Sequence, residues 1–308
     1  MKISLLRFVA VALFIDMAGI ARAQIYIATS GANTIAAYNF DGSVINTALI
    51  SGLSNPYGVA VSGADLYVAN YNGGVGKYTT AGTTVNAALI TGLNNPTGVA
   101  VAGTDLFVAV FNGATVGKYT TAGATVDATF ITAGVSFPYQ AVVSGSNVYV
   151  VNNAGGGNPT VGVFDASTGA IGSSALVSSG LNAAASLAVS GSYIYVSNYF
   201  IGTIGKFDAV TGAPVDTAFI SGLDHPFGIA LSGGNLYVGN NGNGTIGVYD
   251  AATGATVNAT LISGLPAALG IAVTPIPEPS TYAALAGVAM LGFAAWRRKC
   301  VLAVRANS

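Results

Sequence analysis

The stretch "LISGLSNPYGVAVSGADLYVANYNGGVGKYTTAGTTVNAA", Leu49 to Ala88, is followed directly by "LITGLNNPTGVAVAGTDLFVAVFNGATVGKYTTAGATVDAT", Leu89 to Thr129. The pattern returns, more altered, from Phe130, Leu176, Phe219 and Leu261, so successive copies begin 40, 41, 46, 43 and 42 residues apart. A near-constant period in this range marks one supersecondary unit stacked many times. The first copy divides into "GVAVS" (strand a), "DLYVANY" (b), "GVGKYTT" (c) and "TVNAALIT" (d). Each piece is rich in β-branched or aromatic residues, and Gly, Asn, Asp or Thr separates it from the next, which predicts four short strands joined by tight turns. Four antiparallel strands per repeat predict a propeller blade, whose sheet faces are covered by the neighbouring blades. A helical solenoid would need longer segments at a period of 3.6, and the repeats have none.

The two ends complete the count. "QIYIATSGANTIAAYNFDGSVINTA", Gln24 to Ala48, aligns with strands b, c and d but has no strand a, whereas "LISGLPAALGIAV", Leu261 to Val273, reaches strand a and stops. Pairing them makes one blade from both ends of the body, beside five whole ones. The expectation is an all-β, six-bladed propeller with four-stranded blades over residues 24–273, closed so that the ring has no open side. The wording "NPYGVAV…DLYVAN…VGKY" and "HPFGIAL…NLYVGN…IGVYD" resembles the NHL-type six-bladed propeller family across this whole body. That resemblance implies the fold and leaves function open. Such repeats often carry Asp after strand b; here Asn70, Asn152, Asn198 and Asn240 stand there, with Val110 and Thr29 in the other two, so an acidic or metal role does not carry over.

Only 7% of the residues are charged, and much of that charge lies at the ends. Between residues 24 and 276 the cations are Lys77, Lys118 and Lys206, against nine Asp and no Glu. A body with three scattered lysines cannot displace phosphate counterions, which excludes nucleic acid as a partner. The one cysteine, Cys300, lies beyond the body, which therefore has no disulfide, thiolate ligand or cysteine nucleophile.

The flanks read as addresses. Lys2 and Arg7, the short apolar run Phe8–Ile15 and the Ala21-Arg22-Ala23 site before Gln24 predict a secretory signal over 1–23, removed by signal peptidase. Residues 274–308 begin with Pro277-Glu278-Pro279-Ser280-Thr281. An uncharged run to Trp296 and the cluster Arg297-Arg298-Lys299 follow. As a helix, 281–296 would be about 24 Å long, slightly short of the roughly 30 Å hydrocarbon core, with Trp296 and the basic cluster suited to its cytoplasmic edge. This three-part tail resembles the PEP-CTERM sorting signal of exported bacterial proteins, apart from the extension "CVLAVRANS" after the basic residues. The resemblance implies an exosortase-type membrane protease as partner, transient anchoring by the tail helix, and release to the cell surface or an exopolysaccharide matrix.

Chemistry is written more faintly. The loops between strands c and d hold "FDASTG", "FDAVTG" and "YDAATG", where Asp165, Asp208 and Asp250 are expected to bond turn N–H groups and Gly169, Gly212 and Gly254 to take positive φ. One Asp per loop is too few oxygens for calcium. Asp65 and Asp105 read as turn residues on the same side. The opposite, upper face collects the loops into strand a and those between b and c. Its candidate ligand residues are Tyr57, Asn70, Tyr71, Phe111, Tyr139, Asn152, Asn153, Asn198, Tyr199, His225, Phe227 and Asn240, with Gln140 beside them and the segment Asn152–Thr160 as the longest local insertion. Asp224 and His225 alone titrate there, too few for an acid–base pair with a stabiliser or for a zinc site. His225 replaces Asn55 and Asn95 of sister repeats and reads first as a loop residue. Amides and aromatic rings suit neutral polysaccharide or another exported protein at the mouth of a central channel. The expectation is a non-enzymatic surface or matrix module needing no cofactor. The alternatives are a lactonase-like hydrolase or lyase, disfavoured by the missing Glu and His, and a structural matrix protein without a specific ligand.

Overall fold

The computed structural model describes residues 24–153 and 158–274. The expected secretory signal, the tail helix at 281–296 and part of the Asn152–Thr160 insertion lie outside the described residues. Within them the chain forms 24 strands in six four-stranded sheets, the propeller that the repeat predicts.

The innermost strands are β4 (Pro56–Ser62), β8 (Pro96–Ala102), β12 (Pro138–Ser144), β16 (Ala184–Ser190), β20 (Pro226–Ser232) and β24 (Ala268–Val273). Each touches the next in that order, and β24 touches β4, so the ring is complete. The perimeter is made by β3 (Val44–Ile50), β7 (Thr84–Ile90), β11 (Thr125–Ile131), β15 (Ile171–Val177), β19 (Pro214–Ile220) and β23 (Thr256–Ile262). Closure falls where the sequence places it: β1 (Gln24–Thr29) pairs antiparallel with β24. Just beyond, the Gln24 N–H donates to Thr274 Oγ1 at 2.6 Å and the Thr274 N–H to the Gln24 carbonyl at 3.0 Å.

Burial explains the sequence pattern. Strands b and c are sandwiched between blades and are buried on both faces, so runs such as Leu66–Ala69 are continuously apolar instead of alternating. Perimeter strands are covered only at their last residues, so their first five positions are exposed apart from Ser173. The core is divided into inter-blade layers; one joins Tyr26, Ile35, Leu66, Val68 and Tyr78 across two blades. Burying each such side chain contributes about 1.5–3 kcal/mol. Three strand-b tyrosines add a polar link, reaching a loop one blade further on. Tyr26 Oη donates to the Thr80 carbonyl at 3.3 Å, Tyr67 to Thr121 at 3.4 Å and Tyr195 to Ala251 at 2.6 Å. Burial pushes the Tyr26 phenol up to about 12.

The glycine of the Pro-x-Gly start has a packing role. A Cβ on Gly58 would lie 2.6 Å from the Thr97 carbonyl oxygen, and one on Gly98 would lie 2.8 Å from Gln140 Oε1. Glycine there lets adjacent inner strands approach closely. The lysines are absorbed by the fold. Lys77 Nζ pairs with Asp65 at 2.9 Å and Lys118 Nζ with Asp105 at 3.0 Å. These aspartates, which open strand b directly after a hairpin turn, thus serve also as ion-pair partners. At the place of Asp65 the fifth blade has Tyr193, and Lys206 Nζ lies 4.3 Å from that ring's centre and 4.5 Å from that of Phe219.

Candidate functional site

Strand direction sorts the loops. Strand b runs from the lower rim to the upper and strand a from upper to lower, so Gln24 and Thr274 leave together at the lower rim. The lower turns behave as predicted. Asp165 Oδ1 accepts from the Ser167 and Thr168 N–H groups at 2.9 and 2.8 Å, and Asp208 and Asp250 repeat the arrangement. Gly169, Gly212 and Gly254 have φ of 72°, 69° and 74°. Hydroxyl and backbone donors, led by the Ser167 hydroxyl, hold Asp165 down at about 2.

The upper face is built from the second residue of each inner strand and the first residues after strand b. Tyr57, Tyr139 and Phe227 point inward from β4, β12 and β20, and Tyr71, Phe111 and Tyr199 follow the ends of strand b. Their rings touch in a continuous network. Centroids are 5.0 Å apart for Tyr57–Tyr71, 5.9 Å for Tyr57–Phe227, 6.0 Å for Tyr139–Phe227, 6.3 Å for Tyr199–Phe227 and 5.1 Å for Phe111–Tyr139. Two members were not foreseen from sequence: Phe137, 5.2 Å from Phe111, and Phe200, 5.2 Å from Tyr199 and 72% exposed. The signal for Phe200 was its place beside Tyr199 in the same loop. Phe137 occupies a position where sister repeats have Asn55 and Asn95, and all three take left-handed φ, 46° at Phe137. Ala183, His225 and Ala267 take it at the same place, so the conformation belongs to the repeat.

Rings gather at the expected channel mouth. Edge-to-face rings from Tyr57, Tyr139 and Tyr199 meet Phe227 across the mouth. Gln140 and Ser186 lie in a small chamber underneath, so Gln140 is not part of the outer surface. The concavity lies among the second residues of five inner strands, Tyr57, Tyr139, Ala185, Phe227 and Leu269. A cavity of about 460 Å³ opens there, lined by Tyr57, Tyr139, Asn153, Tyr199, Phe200 and Phe227.

Four amides expected on this face turn away from it. Asn70, Asn152, Asn198 and Asn240 are at most 6% exposed. Asn198 shows why: its Oδ1 accepts from the Asn182 N–H at 2.9 Å, and its Nδ2 donates to Thr203 Oγ1 at 3.2 Å. Asn70, Asn152 and Asn198 in this way tie the loop into strand a to the end of strand b, whereas Asn240 donates to Thr245 Oγ1 at 3.1 Å. Asn153, by contrast, reaches the cavity. His225 combines both readings. Its backbone has φ of 52° and its carbonyl accepts from the Asn241 N–H at 3.1 Å, the local turn bond. Its imidazole is exposed, with Nδ1 2.7 Å from Asp224 Oδ1 and the ring 4.8 Å from that of Tyr199.

Electrostatically the mouth is neutral. Burial, then the neighbouring tyrosines, raises the phenols of Tyr57 and Tyr139. Both stay protonated near neutral pH and act as hydrogen-bond donors. Among the described residues no group of three or more His, Cys, Asp or Glu could hold a metal ion, and no helix is long and apolar enough to cross a membrane.

The molecule is thus a six-bladed propeller with an aromatic face, around an uncharged cavity, opposite its termini. The comparisons with known proteins add the following. The PEP-CTERM protein-sorting motif matches residues 275–299. No curated relative matches. Among solved structures, a chain of a nidogen/laminin complex superposes with a TM-score of 0.67 at 16% identity, covering 82% of this chain and 98% of that one. A gluconolactonase of Xanthomonas campestris gives a TM-score of 0.58 at 16% identity, covering 72% and 80%. At such identities the likeness is one of fold. The sorting motif makes this an exported protein, anchored in the membrane by its C-terminus before exosortase-type processing.

Proposed function

We propose that this protein is a non-enzymatic surface or matrix module that holds neutral polysaccharide on its upper face. The continuous aromatic network beside an uncharged, amide-bearing cavity carries the reading. Rings cover the apolar C–H faces of sugars, while Asn153 and the protonated tyrosines bond hydroxyls. The position of the tail supports it. Thr274 is at the lower rim, and the sorting motif starts at the next residue. A propeller tethered there directs its aromatic face away from the bilayer, towards whatever lies outside.

The test is a glycan array probed with the purified full-length protein and with a variant carrying Asn153→Ala, Tyr199→Ala and Phe227→Ala. Binding that the variant loses supports the reading. The same glycans bound equally by both would remove the upper face from it, and no glycan bound by either would turn the search to an exported protein partner or a purely structural role. A hydrolytic reading has the Asp224–His225 pair in its favour. It requires turnover of a lactone panel that His225→Ala abolishes.

A further inference from the structure

The perimeter strands are the outer edges of the six sheets, and an open edge invites another strand. Five of the six close theirs by one device. The third residue of the strand is Asn or Asp, and its Oδ1 accepts from the N–H two residues on. Asn46 accepts from Ala48 at 2.9 Å, Asn86 from Ala88 at 3.0 Å and Asp127 from Thr129 at 2.8 Å. Asp216 accepts from Ala218 at 2.9 Å and Asn258 from Thr260 at 3.0 Å. These N–H groups face outward. The Ala128 and Thr217 carbonyls, in the same peptide units as the Thr129 and Ala218 N–H groups, look towards strand c. Their oxygens lie 3.1 and 3.5 Å from where a Cβ on Gly117 and Gly205 would stand. In a trans peptide the C=O and N–H point in opposite directions. The capping side chain therefore occupies the donor that an incoming strand would use.

The blade of β12 and β15 departs from this. Its third residue is Ser173, and the register is unchanged. Ser173 is opposite Val163 and Val177 opposite Val161, as Asn86 is opposite Lys77 and Ile90 opposite Val75. A Cβ on Gly162 would lie 3.2 Å from the Ser174 carbonyl oxygen, so the Ala175 N–H also faces outward. A serine hydroxyl makes such local bonds more weakly than an Asx side chain. No side chain among the described residues accepts from the Ala175 N–H, and Ala175 is exposed. One edge of the ring is thus left open where its five sisters are capped.

Charge and position narrow the occupant. Ile171–Val177 has no charged residue, whereas Asp127 and Asp216 stand on the edges of β11 and β19. Two copies of β15 can run antiparallel about a two-fold axis without opposing like charges. With one open edge per molecule, such pairing stops at two. The described chain ends in the blade of β24 and β1, directly across the ring, which favours a strand brought by another molecule.

We propose that β15 is a dimerisation edge: it pairs antiparallel with β15 of a second copy, and the Ala175 N–H donates to a carbonyl of that strand. This is independent of the reading of the mouth.

The experiment is sedimentation of the purified full-length protein in detergent micelles. The concentration runs from about 1 to 500 µM, bracketing the Kd on the order of 100 µM that suits so small an interface. Hydrogen exchange of the peptide holding Ala175 is read by mass spectrometry at both ends of the range. A monomer–dimer equilibrium is expected, with slower exchange at the higher concentration. Ser173→Asn, which restores the residue of β7, weakens the dimer about tenfold or more and leaves Tm unchanged. Asn86→Ser opens a second edge and carries association beyond the dimer. Protein that stays monomeric at every concentration overturns the proposal, whether Ala175 exchanges freely or is shielded within one molecule. So does a dimer that Ser173→Asn leaves intact, since the contact then lies on another surface. An unchanged state in Asn86→Ser would show that the side-chain cap does not close an edge, and would remove the ground of the proposal.

Discussion

The lower and upper rims are built on the same strands, yet they spend their polar groups differently. On the lower rim each turn aspartate is satisfied within its own loop, as Asp208 is by the N–H groups of Val210 and Thr211. On the upper rim the buried asparagines do comparable local work, but a second layer of aromatic rings and Asn153 lies outside them with few internal partners. A repeat protein can thus hold structure on one rim and vary the other, because each rim is made of loops whose sequences the blade core does not constrain.

The largest effect is expected from a change that belongs to neither rim. Gly228→Val puts a side chain against the Leu269 carbonyl, on the axis where inner strands meet. It should keep the ring from closing, seen as loss of soluble, cooperatively melting protein; an unchanged melting curve would remove the close-approach role of these glycines. Next, Tyr199→Ala with Phe227→Ala should weaken glycan binding by about a hundredfold, the loss expected of central anchoring residues, while the far-ultraviolet spectrum stays that of the parent. A collapse of the fold in that variant would mean that the upper rings are structural, and the contrast between rims would be lost.

The lower rim should show the reverse. Asp165 is held below its ordinary value, so its contribution to stability is present above about pH 4 and is lost as pH falls through about 2. Asp165→Asn should therefore lower Tm by a few degrees at pH 7, with the difference shrinking towards pH 2, and leave glycan binding unchanged. A Tm difference that is constant with pH would separate the turn from the carboxylate's charge. The smallest effect is expected from Phe200→Ala at the exposed edge of the cavity: about a threefold to tenfold loss of affinity by titration, with no change in Tm.

Much of this was legible in the sequence, and the particular residues show where legibility stopped. "FDAVTG" announces its turn because Asp, Thr and Gly act on their own backbone within a few residues. Asn198 and Tyr199 are neighbours in the same stretch and looked alike as candidates, but one is buried and the other faces the cavity. Successive residues near a strand end point to opposite sides, and which side is outward depends on the loop that closes over it. Asp65 reads from sequence as a turn residue, and only the fold adds its ion pair with Lys77, on the adjacent strand, at 2.9 Å.

The sequence by itself determined the period, the four strands of each blade, the number of blades, the blade shared by the two ends and the sorting tail, because each is written in local propensity or in repetition along the chain. Tertiary structure alone decided that rings from different blades meet at the channel mouth, and that Asn70, Asn152, Asn198 and Asn240 are buried while Tyr199 faces the cavity. Those outcomes depend on side chains from different blades meeting across the axis and on the loop that closes over each strand end, and the distances that decide them exist only once the ring has closed.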